Sequence, residues 1–98
     1  MNSSDLYKEA KEVTSDFDGF VDKITEFYID SVLGRRTIEK IFNLYTFLIG
    51  AVRFYLNQSV ANKNTKYNKE EVDKNMNYAI SHIKNGKYKK IIENKKLL

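Results

Sequence analysis

Residues 38–56 read IEKIFNLYTFLIGAVRFYL, and this stretch decides the fold. Ile38, Ile41, Tyr45, Leu48, Val52 and Tyr55 step by three and four, the period of an α-helix rather than of a strand. Phe42, Leu44, Ile49, Ala51 and Leu56 widen this row to about half of the circumference at ~100° per residue. A helix this apolar has to touch two neighbours, so a central helix over about 36–57 is predicted. Its apolar part, Ile41 to Leu56, is the only candidate for membrane insertion. It falls short of the ~20 residues needed to span and contains Asn43, Thr46 and Arg53, so a buried core helix is expected and integral membrane insertion is not.

Toward the N-terminus, Leu6, Ala10, Val13, Phe17, Phe20, Ile24 and Phe27 alternate steps of four and three, a heptad-like seam broadened by Val21 and Tyr28. Ser3 or Ser4 is the expected N-cap, and Gly34 is expected to end the segment in a left-handed conformation. Thr14-Ser15-Asp16 and Gly19 are weak helix formers. The seam nevertheless keeps its register through them, which predicts one helix over about 4–32, kinked there. Ile29 and Leu33 leave the seam, so the helix is expected to loosen near residue 30.

Toward the C-terminus, residues 57–68, NQSVANKNTKYN, are polar and predict a loop over 58–68. Asn68 followed by Glu71 resembles a capping box that opens a helix over 69–85, with Val72, Met76, Ala79, Ile80 and Ile83 on its apolar side. Asn85-Gly86 is its stop signal, and Tyr88, Ile91 and Ile92 mark a short helix over about 87–96. The expected fold is all-α: an antiparallel helical bundle of three long helices plus a short C-terminal helix, in one domain over 1–98. Tyr78-Ala79, Asn85-Gly86-Lys87-Tyr88 and Ile91 resemble the turn between the two helices of a tetratricopeptide repeat. The resemblance covers only about residues 72–98, with Ile91 where that family usually has Ala and no second copy. Isolated repeats of that kind need stacked neighbours, so the segment is read as a generic helical hairpin.

Charge is divided along the chain. Residues 1–33 carry eight acidic and three basic side chains; residues 34–98 carry five acidic and fourteen basic ones. Fourteen lysines and ten asparagines fit an A/T-rich coding sequence of a low-GC microbe or its phage. There is no cysteine, so thiol chemistry is excluded, and the polar, acidic start Asn2-Ser3-Ser4-Asp5 predicts a cytoplasmic protein.

Three groups of side chains are candidate sites. Asp18, Asp22, Glu26 and Asp30 recur every four residues, a carboxylate ladder whose neighbours repel by about 0.2–0.5 kcal/mol per pair on a helix. They are either paired with lysines of the same chain or form a docking strip for a basic partner. Phe47 and Phe54 fall on the polar side of the central helix with Asn43 and Gly50, two rings flanking a glycine where a partner helix or a second copy is able to approach. Cover by the C-terminal helix of the same chain is the competing expectation. Lys84, Lys87, Tyr88, Lys89, Lys90, Lys95 and Lys96 form a basic end with one aromatic ring, suited to phosphates, and Arg35 and Arg36 extend it. A solvated basic tail, or one lying on an anionic membrane surface, is the alternative there.

Catalysis has little support. His82 is the only histidine, the ladder lacks Glu-x-x-His partners and a calcium-type loop, and no phosphate-binding glycine loop occurs. No enzyme activity, cofactor, metal or small-molecule substrate is expected. The expected function is protein–protein interaction by a small inhibitor, immunity-type or assembly protein, with nucleic-acid binding through the lysine-rich end as the alternative. In size and helical make-up the chain resembles the small bundle immunity proteins of bacteriocin producers, a likeness of architecture without a shared motif.

Overall fold

The structure, a computed structural model, describes residues 2–39, 43–63 and 68–97, with backbone alone for 59–63. Among the described residues five helices follow one another: α1 (Ser3–Glu12), α2 (Phe17–Val32), α3 (Leu44–Lys63), α4 (Lys69–Asn85) and α5 (Lys89–Lys95). No strand occurs among the described residues. The radius of gyration, 13.1 Å, is that of a compact domain, about 13 Å for ~100 residues.

The predicted first helix is two helices. Thr14 Oγ1 donates to the Ala10 carbonyl at 2.6 Å, and Asp16 caps α2 by accepting from the Gly19 N–H at 2.7 Å. These local bonds compete with continuation of the helix, and they outweigh the seam, which was continuous only in sequence. Val13, expected in that seam, is 63% exposed at the break. Asn2 rather than Ser3 or Ser4 caps α1, accepting from the Asp5 N–H at 3.0 Å. The far end of α2 is as regular as its start: Ile29 is buried and the helix runs to Val32. Gly34, at φ +80°, then closes a Schellman motif, with Arg35 N–H on the Asp30 carbonyl (2.7 Å) and Gly34 N–H on that of Ser31 (3.2 Å).

The central helix begins later and ends later than predicted. Asn43 caps it by accepting from the Thr46 N–H at 2.8 Å, and residues 35–39 before it are irregular. There the Arg36 guanidinium spans both carboxylate oxygens of Glu9 (3.2 and 3.3 Å) and lies 4.2 Å from the centre of the Phe27 ring, which ties this connection to α1 and α2. Ile41 and Phe42 lie outside the described residues. At its other end α3 continues to Lys63, because Asn57, Gln58 and Ser59 are polar but no Gly or Pro interrupts them. Of the predicted loop 58–68, residues 58–63 are therefore helix, and 64–67 lie outside the described residues. The predicted bounds of α4 hold, with Asn68 accepting from the Glu71 N–H at 2.8 Å.

The buried side of α3 runs through Leu44, Phe47, Leu48, Ala51, Val52 and Leu56, and α1, α2 and α4 all pack against it. Tyr45, expected within the apolar arc, is 49% exposed. Ring contacts set the alignment of α2 on α3: Phe17 and Phe20 meet Tyr55 (both 5.1 Å between centroids), and Tyr28 meets Phe47 (5.8 Å). Burial of Phe20, Leu6, Ile24, Ile29, Leu44 and Leu48 makes the core, at roughly 1.5–3 kcal/mol for each such side chain removed from water. Thr25, buried among them, satisfies its hydroxyl on the Val21 carbonyl at 2.8 Å.

Candidate functional site

The aromatic stripe of α3 is not a surface. Phe47 is buried and Phe54 half-buried, and the cover comes from α1 and α2 rather than from α5, which packs only on α4. Tyr7 lies in the stripe, 5.3 Å from Phe47 and 5.9 Å from Phe54 between ring centroids, and its hydroxyl donates to the Phe47 carbonyl at 2.9 Å. Gly50 makes room for it: a β-carbon there would fall 3.1 Å from Tyr7 Cζ. Burial pushes the Tyr7 hydroxyl up to about 12 from the ordinary 10. Asn43 is exposed and used as a cap. The sequence signal for this contact was the glycine itself, but nothing in it designated Tyr7 as the visitor.

Each carboxylate of the ladder has a partner within the chain. Asp18 accepts from the Tyr78 hydroxyl, Asp22 meets Lys87 at 3.1 Å, Glu26 meets Lys23 at 3.4 Å and Asp30 meets Arg35 at 2.7 Å. Only one of these cations, Lys87, comes from the basic end. Its hydrogen bond to Asp22 raises the Lys87 pKa, and the bond to Asp18 raises that of Tyr78. Of these, only Asp18–Tyr78 and Asp22–Lys87 connect α2 with α4 and the turn after it, and being open to solvent they orient the two helices more than they stabilise them. His82, half-buried, stacks on Tyr78 at 6.3 Å and faces this same seam. Among the described residues, no group of three or more His, Cys, Asp or Glu side chains is placed to hold a metal ion, and no helix is long and apolar enough to cross a membrane.

The basic end divides in two. Lys87 turns toward Asp22, and Tyr88 turns inward: its ring is half-buried against the core, 5.0 Å from Lys87 Nζ, and burial raises its pKa. Lys84 at the end of α4, with Lys89 and Lys96 of the α5 segment, lines a groove of about 620 Å³ whose other walls are Asn85, Ile92 and Glu93. Lys90 and Lys95 are exposed on the same short helix. None of these five lysines makes an ion pair among the described residues. Arg35 and Arg36 do not extend this footprint; they are held by Asp30 and Glu9. Asn85 and Ile92 belong to the groove although in sequence they read only as a helix stop and a core residue.

Two local devices build the groove. Gly86 ends α4 with its N–H on the Ile83 carbonyl (3.3 Å), and a β-carbon there would lie 2.9 Å from the His82 carbonyl oxygen, so a larger residue would push the turn open. Ile92, buried against α4, fixes the rotation of α5 and thereby turns Lys89 and Lys96 to one side. The groove gathers three lysines, the Asn85 amide and the Glu93 carboxylate around Ile92, and its excess of positive charge suits the binding of anions. Comparison of the chain with protein families, with curated proteins and with solved structures gives no match.

Proposed function

We propose that this is a small non-enzymatic accessory protein of a low-GC microbe or its phage, an antiparallel bundle that presents the lysine face of α4–α5 to a nucleic acid. The observation that carries this reading is the convergence of Lys84, Lys89 and Lys96 on one groove, beside exposed Lys90 and Lys95, with no ion pair to any of them among the described residues. Lysine is a compact point charge that neutralises phosphates without demanding a fixed geometry, and a row of such charges is the electrostatic footprint of a nucleic-acid binder. Fluorescence anisotropy with labelled DNA and RNA at low salt tests it. Binding should be micromolar, weaken log-linearly with salt, and vanish in a Lys84→Glu, Lys89→Glu double variant that keeps its helical circular dichroism. No binding at low salt sinks the proposal.

Protein–protein interaction is the second reading. Phe47 is buried, Gly50 and Phe54 are half-buried beside Tyr7, and the acidic strip has internal partners, all of which weigh against it. Support for it shifts to Val32, Leu33 and Tyr45, apolar side chains 40%, 44% and 49% exposed. Mass in solution across concentrations, for the native chain and for Leu33→Asp with Tyr45→Asp, decides whether these side chains mediate self-association.

A further inference from the structure

We infer that the lysine groove takes an unpaired guanine of a single strand and reads its Watson–Crick edge with Glu93, an inference that rests on the nucleic-acid reading above. The groove mixes two kinds of group: Lys84, Lys89 and Lys96 donate and Glu93 accepts, around the apolar wall of Ile92. Lys89 lies four residues before Glu93 on α5, and Lys96 three residues after it at the left-handed end of that helix. Despite those neighbours, the Glu93 carboxylate makes no ion pair among the described residues. A site for phosphate alone gains nothing from a carboxylate, which repels the ligand at close range. Glu93 asks for hydrogen-bond donors from the ligand, beside the anions that the lysines ask for.

Among the bases, guanine meets both demands. Its Watson–Crick edge carries two adjacent donors, N1–H and the N2 amino group, which match the two oxygens of a carboxylate, while its O6 and N7 accept from lysine. Adenine and cytosine set an amino group beside a bare acceptor nitrogen, and thymine and uracil set a single N3–H between two carbonyls. Each of these leaves one Glu93 oxygen facing an acceptor. Asn85 carries both a donor and an acceptor, so it fits any base and does not select. Shape decides between strand and duplex. Base edges of a duplex lie at the floor of a major groove about 8.5 Å deep, where a protruding helix reaches them and a concavity does not. An unpaired base splays outward and is able to enter this groove of about 620 Å³ and lie on Ile92. That volume is within the ~300–1,000 Å³ usual for a ligand site. Lys90 and Lys95, exposed on α5 outside the groove, meet phosphates only if the ligand continues beyond one nucleotide, which favours a strand over a free nucleotide.

The test measures anisotropy at low salt with short thymine strands carrying one central guanine, inosine, adenine or cytosine, or none. The guanine strand should bind about five- to a hundredfold tighter than the others, the worth of a good bidentate base contact. Inosine keeps N1–H, O6 and N7 but lacks the N2 amino group, so it should lose most of that preference. Glu93→Gln, with helical circular dichroism kept, should bring the strands level within about twofold, because its amide NH2 donates where guanine also donates. Pairing the guanine with a complementary strand should erase its advantage over the paired thymine strand. Native protein that binds every single strand alike, or inosine as tightly as guanine, overturns the inference while leaving the nucleic-acid reading standing. A preference that survives Glu93→Gln, or one kept in the duplex, does the same. Free guanosine triphosphate that competes as well as the guanine strand overturns the strand as occupant. Absence of binding to every probe removes both the inference and the reading beneath it.

Discussion

Gly50→Ala probes how α1 docks on the central helix. A β-carbon at this position would lie 3.1 Å from Tyr7 Cζ and 3.2 Å from Cε2, and closer still to the hydroxyl oxygen. The ring has little room to retreat, because its hydroxyl is bonded to the Phe47 carbonyl and its faces meet Phe47 and Phe54. Forcing an extra methyl into such a contact costs about 1–3 kcal/mol. Against this, alanine is favoured over glycine inside a helix by about 0.8–1.0 kcal/mol. The expected net effect is a destabilisation of about 1 kcal/mol, the difference of those two terms. In a Tyr7→Ala background the obstacle is gone. That substitution alone costs roughly 3–5 kcal/mol, as for other large aromatic truncations, but Gly50→Ala made on top of it should stabilise by about 0.8–1.0 kcal/mol. Urea unfolding followed by circular dichroism gives all four free energies of the cycle. The reasoning is refuted if Gly50→Ala stabilises the native background as much as it stabilises the Tyr7→Ala one, since the methyl would then meet no ring.

Three further outcomes are expected. Tyr7, pushed up to about 12 by burial, stays protonated in the folded chain while the unfolded chain ionises near 10. Its contribution is therefore fully present below pH 10 and lost as pH rises toward 12, by about 2–3 kcal/mol in all at ~1.4 kcal/mol per unit. Urea midpoints between pH 9 and 11.5 should fall less steeply in Tyr7→Phe, and parallel slopes would contradict the burial; because Tyr28 and Tyr55 are also raised by burial, the variant's midpoint still falls with pH. Gly34→Ala, at φ +80° with nothing within 4 Å of the added carbon, should cost about 1–2 kcal/mol from backbone strain alone, read as a lower urea midpoint at unchanged m. Asp16→Ala removes the α2 cap and should cost about 0.5–2 kcal/mol, whereas Ser15→Ala, which leaves that cap in place, should be close to neutral in the same assay.

Helix α4 was legible almost to the residue because both of its ends carry local chemistry, an Asn cap at 68 and the Gly86 turn, and its apolar face is narrow. The α1–α2 break was also written locally, in Thr14 and Asp16, yet periodicity pointed the other way. A four-residue step from Val13 to Phe17 keeps phase in sequence whether or not the backbone between them is helical, so phase alone cannot detect a turn there. Helix α3 shows the opposite difficulty. Being apolar over half its surface, it has no unique buried direction; packing chose the side through Leu44 and Phe47 and left Tyr45 outside. That choice depends on α1, which brings Tyr7 onto Gly50 across forty residues of chain. No local pattern encodes such a contact, and it is why a stripe that looked available to a partner is largely covered from within the chain.

The lysines raise the remaining question, whether their number reflects coding bias or selection for charge. Bias adds lysines wherever the surface tolerates them, and the structure holds some of that kind, such as Lys8 and Lys74, scattered on separate helices. It does not by itself gather Lys84, Lys89 and Lys96 around one groove with a single carboxylate, Glu93, among them, an excess of positive charge that raises the energy of the folded chain by mutual repulsion. The means of neutralising them was at hand. Asp22 captures Lys87 from the same segment, and the ladder's other carboxylates are satisfied by Tyr78, Lys23 and Arg35. The acidic strip therefore draws off one lysine of the six and leaves five facing solvent. The buried Ile92 holds α5 with these lysines toward solvent, and a polyanion bound as proposed would relieve their mutual repulsion.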